Sequence, residues 1–337
     1  MYKTLDYLPE GFLDCDATNL MALLDEPTLI HLEGRRDQPL FVSILLHGNE
    51  VTGLHAIQTL LKKYQQQTLP RSLSIFVGNI SAAEKGMRRL SGQPDYNRVW
   101  PGSDQPASAE SLMMQDIIDS MRKRNVFASI DIHNNTGINP HYGCINVLDP
   151  QFFHLATLFS RTVVYFTRPV GVQSSAFASL CPAVTIECGK VGQQYADQHA
   201  MEYVDAALHL AEIPSHPIAE HDIDLFHTIA IVKVPVNVEF SFDGGDADIH
   251  LEPDLDHMNF RELEAGTRIA RLATNSNAHL QAWDNDGKDI SDELFSYEDN
   301  EISTRKALMP SMLTLNEKVI RQDCLCYLME RYPLPKE

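Results

Sequence analysis

Apolar residues recur along the first two thirds of the chain with two different periods. Short runs at 41–46, 73–77, 126–132, 145–148, 162–166 and 183–186 are continuous and rich in β-branched residues, which predicts buried strands. Between them, stretches at 51–64, 110–124, 151–160 and 196–212 repeat apolar residues at helical spacing, as in Val51, Leu54, Ile57, Leu61 and Tyr64. Strands alternating with helices predict an α/β fold, a mixed, largely parallel central sheet with helices on both faces. The texture changes near residue 213, where Ile213-Pro214-Ser215-His216-Pro217 reads as a linker. Strand-like runs at 228–236, 267–272 and 307–310 follow, separated by acidic and Gly-containing turns. The pattern predicts two domains, a larger α/β domain over 1–213 and a smaller, mostly-β domain over 218–337. No internal repeat or low-complexity tract interrupts it.

Composition narrows the classes of partner. A chain of 337 residues with 44% apolar and 22% charged residues is ordinary for a soluble protein and long for one small core. The formal charge of −19 argues against nucleic acid and anionic membrane, both of which select basic surface. No run of about eighteen apolar residues predicts a transmembrane helix. The first ten residues lack the basic and apolar regions of a secretory signal. The six cysteines show no Cys-x-x-Cys spacing, so the expected location is a reducing cytoplasm. The acidic segment 242–250 lacks the ligand pattern of a calcium loop and reads as a solvated turn.

The chemistry gathers at the ends of the predicted strands. The run ending at Leu46 is followed by His47-Gly48-Asn49-Glu50 and then a helix, so an imidazole and a carboxylate sit three residues apart on a strand-to-helix turn. That offset lets both converge on one cation, and open α/β sheets bind ligands at such strand ends. A second strand closes on Asp131-Ile132-His133 before the turn formers Asn134, Asn135, Thr136 and Gly137, making His133 the candidate third ligand. With fourteen histidines in the chain a lone one carries little weight, but these occupy matching positions. Glu187 ends a third strand, just before Cys188-Gly189. It could take a proton from an attacking water, or it could be the ion-pair partner of an arginine. Cys188 reads as a small buried hydrophobe rather than a nucleophile.

A Gly- and Pro-containing loop runs from Arg88 to Gly102 and carries Arg88, Arg89 and Arg98 in an otherwise acidic chain. Guanidinium groups can grip a carboxylate bidentately and stabilise an oxyanion; the alternative is a solvated basic loop.

The order His47-Gly48-Asn49-Glu50, Asp95-Tyr96-Asn97-Arg98-Val99-Trp100-Pro101-Gly102, Asp131-Ile132-His133 and Ile186-Glu187-Cys188-Gly189 resembles the succinylglutamate desuccinylase and aspartoacylase family, a branch of the zinc carboxypeptidase-like hydrolases. The resemblance implies a zinc carboxypeptidase-like fold, with the catalytic chemistry in residues 1–213 and one Zn2+ per chain on His47, Glu50 and His133. It further implies Glu187 as general base, Asn97 and Arg98 as the pair holding the substrate carboxylate, and Arg89 polarising the scissile carbonyl. The interval from Arg89 to Asn97 is one residue longer than usual in the family, so Arg88 is a rival for that role. The segment after His133, Asn134 to Tyr142, departs from the Thr-type continuation of better-known members and leaves the acyl group and amino acid open.

The expected function is therefore zinc-dependent hydrolysis of an amide in a small anionic substrate, foremost an N-acyl amino acid. A metallocarboxypeptidase acting on peptide C-termini shares the same residues. A zinc-binding protein without catalysis is the third reading, from another class. No nucleic acid or membrane partner is expected, and a homo-oligomer is compatible with the sequence.

Overall fold

The computed structural model describes residues 1–334, so the last three positions of the sequence-derived second domain lie outside the described residues. The fold is mixed α/β, and its contacts divide it into two compact units. One comprises Met1–Asn134 and His141–Asp224; the other comprises Asn135–Pro140 and Leu225–Pro333.

The first unit is built on strands β1 (Lys3–Leu5), β2 (Thr28–Leu32), β3 (Leu40–Ile44), β4 (Leu73–Val77), β5 (Ala128–Asn135), β6 (Tyr142–Ile145), β7 (Thr162–Tyr165) and β8 (Ala183–Lys190). They lie in the order β1-β2-β4-β3-β5-β8-β6-β7. The pairings β1–β2, β3–β4, β3–β5 and β6–β7 are parallel, whereas β2–β4 and β6–β8 are antiparallel. Helices α1 (Leu20–Leu24), α2 (Thr52–Lys63), α3 (Ile80–Ala83), α4 (Ala109–Lys123), α5 (Pro150–Thr157), α6 (Gln173–Phe177) and α7 (Gln194–His209) cover the sheet.

Local chemistry explains where these elements begin. Helix α4 starts at a reciprocal capping box between Ser108 and Ser111, and α5 starts where Asp149 accepts from the Gln151 amide with Pro150 in the first turn. Helix α2 seats close to the sheet because Gly53 has no side chain: a Cβ there would stand 2.8 Å from Ile44 Cγ2. β3 and β5 are buried throughout and in parallel register, with Ser43 opposite Asp131, so β5 continues to Asn135 past the point where β3 stops at Ile44. That register brings the segment after Ile44 next to the end of β5.

Several details differ from the sequence reading. β5 runs on through Asn134 and Asn135, expected as turn formers, because the Asn134 side chain bonds Thr52 and the Gly189 carbonyl. β8 runs on to Lys190, past Glu187, the expected strand end. The strand expected at 145–148 lies at Tyr142–Ile145, because Gly143 is a packing position rather than a breaker: a Cβ there would stand 3.2 Å from Ala156 of α5. The strand expected to run through Leu46 stops at Ile44, and the buried Leu45 takes a left-handed φ of 56°.

In the second unit, β9 (Asp224–Lys233) pairs antiparallel with β13 (Gln281–Trp283) and β17 (Cys326–Arg331), and β17 with β16 (Met309–Ser311). A separate sheet has the order β10 (Phe240–Ser241), β11 (Ile249–Leu251), β12 (Arg268–Leu272), β15 (Glu301–Thr304), β14 (Phe295–Glu298). Val232, Leu255, Phe295, Ile302 and Leu328 contribute to its buried apolar core. The inserted segment 135–140 is tied in through Asn139 Oδ1, which accepts from the Met312 amide at 3.0 Å.

Candidate functional site

Beyond Leu45 the chain turns sharply, and Gly48 and Glu50 fix the turn. The Gly48 amide donates to the Arg88 carbonyl at 3.0 Å and the Glu50 amide to the His47 carbonyl at 3.1 Å. Gly48 lies so close to α3 that a Cβ would sit 2.2 Å from the Ala83 nitrogen. The turn thus presents His47 Nδ1 to Glu50 Oε1 at 2.9 Å. From the end of β5, His133 Nδ1 reaches Glu50 Oε2 at 2.7 Å. One ligand atom from each of His47, Glu50 and His133 lies within 4.8 Å of the others, and all three residues are buried.

The far side of each imidazole is held by a second carboxylate. His133 Nε2 lies 2.7 Å from Asp131 Oδ2, and His47 Nε2 lies 3.0 Å from Asp95 Oδ1. A carboxylate only accepts, so each Nε2 carries the hydrogen and each Nδ1 is left with its lone pair toward Glu50. Two imidazole lone pairs and a carboxylate then face one another. Such a group is stable only with added protons on the rings or with a cation among them, and carboxylate-backed histidines are the usual supports of a metal site. The donor set therefore fits a divalent metal of the zinc type.

The local charges follow from this packing. Burial would push the Glu50 carboxyl up, but His47 and His133 outweigh it and hold it well below the usual carboxylate range. Burial likewise opposes the charged form of His133, yet Asp131 and Glu50 raise the imidazole well above its ordinary value. Burial would raise Asp95 too, but His47 and Arg88 keep it ionised.

Glu187 lies on β8, the strand next to β5, and is 5% exposed. Burial pushes its carboxyl up to about 7, with the charge of His133 opposing. Its cross-strand neighbour on β6 is Tyr142, and by strand alternation Cys188 points to the opposite face. The Cys188 thiol is fully buried and shifted upward by burial and then by Glu187, which suits packing and not nucleophilic attack. Asn134 sews these segments together. Its amide accepts from the Thr52 nitrogen at 3.3 Å and donates to Thr52 Oγ1 at 3.0 Å and to the Gly189 carbonyl at 3.1 Å, while its backbone nitrogen donates to Glu50 Oε2 at 3.2 Å.

The arginine loop divides its residues. Arg88 extends Nη2 to Asp95 Oδ2 at 3.1 Å and Nη1 to within 3.5 Å of Glu50 Oε1. Arg89 instead donates to the Gln93 carbonyl at 3.1 Å. Asn97 is buried against Asp131 and His133, with Nδ2 at 3.2 Å from Asp131 Oδ2 and 3.1 Å from His133 Nε2. Arg98 is half-buried and donates to the Asn97 carbonyl at 2.8 Å. The loop is pinned from below by Gly171, whose φ of 73° and contact with the Arg98 carbonyl, 2.4 Å from a built Cβ, leave room for no side chain.

Sequence reasoning assigned no role to Ser43, Asp95, Asp131, Asn134 or Gln173. Asp131 carried a readable signal, because two residues before His133 on a strand is the same face. Asp95 opens the motif that runs to Gly102, but its contact with His47 is set by the folding of the arginine loop, and Gln173, at the start of α6, carried no signal.

Residues 38–210 match the family model described as the succinylglutamate desuccinylase/aspartoacylase catalytic domain. Among solved structures, the chain is similar to succinylglutamate desuccinylase from Chromobacterium violaceum, at 18% identity over 89% of this chain and 87% of that one, with a TM-score of 0.55. It is similar to succinylglutamate desuccinylase from Vibrio cholerae, at 12% identity over 95% and 94%, with a TM-score of 0.60. Murine aminoacylase 3 shares 13% identity over 88% and 96%, with a TM-score of 0.56. At these identities the likeness is one of fold. No curated protein matches the chain. Among the described residues, no helix is long and apolar enough to cross a membrane.

Proposed function

The chain belongs to the succinylglutamate desuccinylase/aspartoacylase family, and from that premise we propose that it is a zinc-dependent hydrolase that deacylates an N-acyl amino acid. The observation that carries this reading is the cradle of His47, Glu50 and His133, with the buried Glu187 on the adjacent strand. His47, Glu50 and His133 would hold one Zn2+ per chain, which when bound supplies Lewis acidity at the scissile carbonyl. Glu187 accepts a proton from the attacking water and returns it to the leaving nitrogen as the C–N bond breaks, giving a carboxylate and a free amine. A carboxyl shifted to about 7 is suited to both transfers.

An arginine of the pair Arg88 and Arg89 shares the charge that develops on the carbonyl oxygen. The reach of Arg88 toward Glu50 favours it over Arg89, whose guanidinium is turned to Gln93. Arg98, with Asn97, grips the substrate carboxylate. The catalytic domain is read as residues 1–213 and the smaller β-rich domain as 218–337, while the compact units of the fold divide later, between Asp224 and Leu225, and place Asn135–Pro140 in the second. A reducing cytoplasm suits the six free cysteines.

The test is release of free amine by the zinc-loaded protein from matched panels of N-acyl amino acids and of short peptides. Turnover confined to the acylated panel is expected, and turnover confined to peptides would make the protein a carboxypeptidase. Metal analysis accompanies it: Glu187→Ala should keep zinc and lose turnover, whereas His47→Ala should lose the metal. A zinc-free but folded Glu187→Ala protein would contradict the assignment of roles.

A further inference from the structure

We propose that Asn97 is a positioning residue of the metal site, acting through Asp131 on His133, in addition to any contact it makes with substrate. The inference rests on the reading of His133 as a metal ligand. Asp131 is fully buried, and a buried carboxylate is tolerable only when its oxygens are satisfied. Ser43 Oγ donates to Oδ1 at 2.7 Å, while Oδ2 accepts from His133 Nε2 at 2.7 Å and from Asn97 Nδ2 at 3.2 Å.

The Asn97 amide is locked in the one orientation that can do this. Its Oδ1 accepts from the Gln173 backbone nitrogen at 2.9 Å, so Nδ2 is the end turned to Asp131. Flipped, the amide would place oxygen against a carboxylate oxygen and face nitrogen to an N–H. Gln173 is itself anchored to β5, where its Nε2 donates to Ser129 Oγ at 2.5 Å, on the same face as Asp131 and His133. The close approach of Asn97 Nδ2 to His133 Nε2, 3.1 Å, is then a contact between two donors that share one acceptor. Asp131 Oδ2 is drawn to a single place by both, and the His133 ring follows it.

One amide hydrogen of Asn97 goes to Asp131, and the other is the one the proposed function assigns to a substrate carboxylate. The same side chain therefore links metal affinity to substrate grip through Asp131, whereas the charge of its neighbour Arg98 bears on Asp95. This separates two variants that a simple carboxylate-binding pair would not.

The experiment is Zn2+ affinity by chelator competition, together with the visible absorption of the Co2+-substituted protein, for the parent, Asn97→Ala, Asn97→Ser and Arg98→Ala. Parent binding is measured first, since a parent that takes up no Zn2+ brings down the functional reading and this inference with it. Asn97→Ala should weaken Zn2+ binding about 10- to 100-fold, the usual loss for an outer-shell support, alter the Co2+ spectrum and raise KM. Asn97→Ser, which keeps a donor, should fall between, and this graded series would also stand in if the alanine variant proved unstable. Arg98→Ala should raise KM with a smaller loss of Zn2+ affinity than Asn97→Ala, because its charge bears on Asp95 and it gives no hydrogen bond to Asp131. Asn97 variants that bind Zn2+ like the parent and give the parental Co2+ spectrum, with only KM changed, would overturn the proposal.

Discussion

Replacing Glu187 by glutamine should make the metal-free protein more stable at pH 8 while removing most turnover. The side chain is 5% exposed, and burial raises its carboxyl from 4.5 to about 7. At 1.36 kcal/mol per pKa unit, that shift is roughly 3 kcal/mol against the charged form. The folded state holds the Glu187 proton more tightly than the unfolded state does. Its contribution is therefore present in full below about pH 4.5, declines as pH rises toward about 7, and remains a constant penalty above that. Glutamine has nearly the same shape and no charge to desolvate, but burying its amide costs about 1–2 kcal/mol. The net gain at pH 8 is about 1–2 kcal/mol, shrinking and reversing toward pH 5. Urea unfolding in the presence of chelator, followed through the buried Trp100, reads this difference at the two pH values. With zinc restored, turnover should fall about 10²- to 10⁴-fold for loss of a general base. A glutamine variant no more stable than the parent at pH 8, or a stability difference that does not change between pH 5 and pH 8, would refute the reasoning.

Two further outcomes follow from the geometry. Gly48→Ala places a Cβ 2.2 Å from the Ala83 nitrogen, which is backbone and must move, so the turn carrying His47 and Glu50 should shift. Overpacking of this kind costs about 1–3 kcal/mol, and metal titration should show weaker zinc binding; parental affinity would mean the turn relaxes elsewhere. Zinc at a hundredfold excess over its Kd should stabilise the parent against unfolding by about 2.7 kcal/mol, an increment that chelator removes and that His47→Ala lacks. A calorimetric melt with and without zinc checks both, and an equal zinc effect in His47→Ala would place the metal elsewhere.

The helices α2, α4, α5 and α7 and the strands β3, β4 and β7 were legible because each has a clear apolar period and enough length to show it. β1 is three residues long, and β2 lies between Pro27 and Glu33 with His31 inside it, so neither stands out from the chain around it. The His47, Glu50 and His133 convergence was readable because strand ends are where a parallel sheet exposes side chains. The supports were less so. Ser43 meets Asp131 through register alone, and the Gln173 amide meets Asn97 across a long loop. Periodicity records which face a residue occupies, not which distant residue shares that face. Of the two adjacent arginines, the resemblance assigned the carbonyl-polarising role to Arg89 with Arg88 as rival, and sequence could not show that the loop turns Arg88 to Asp95 and Arg89 to Gln93.

Asn134 ties the start of α2, the end of β5 and the Gly189 carbonyl of β8 together through one amide, and its own backbone holds Glu50. The segments bearing Glu50, His133 and Glu187 are thereby denied independent motion. Heat should not erode such a centre gradually. Activity should persist nearly to the temperature at which the surrounding sheet itself gives way, and then vanish with it in a single step.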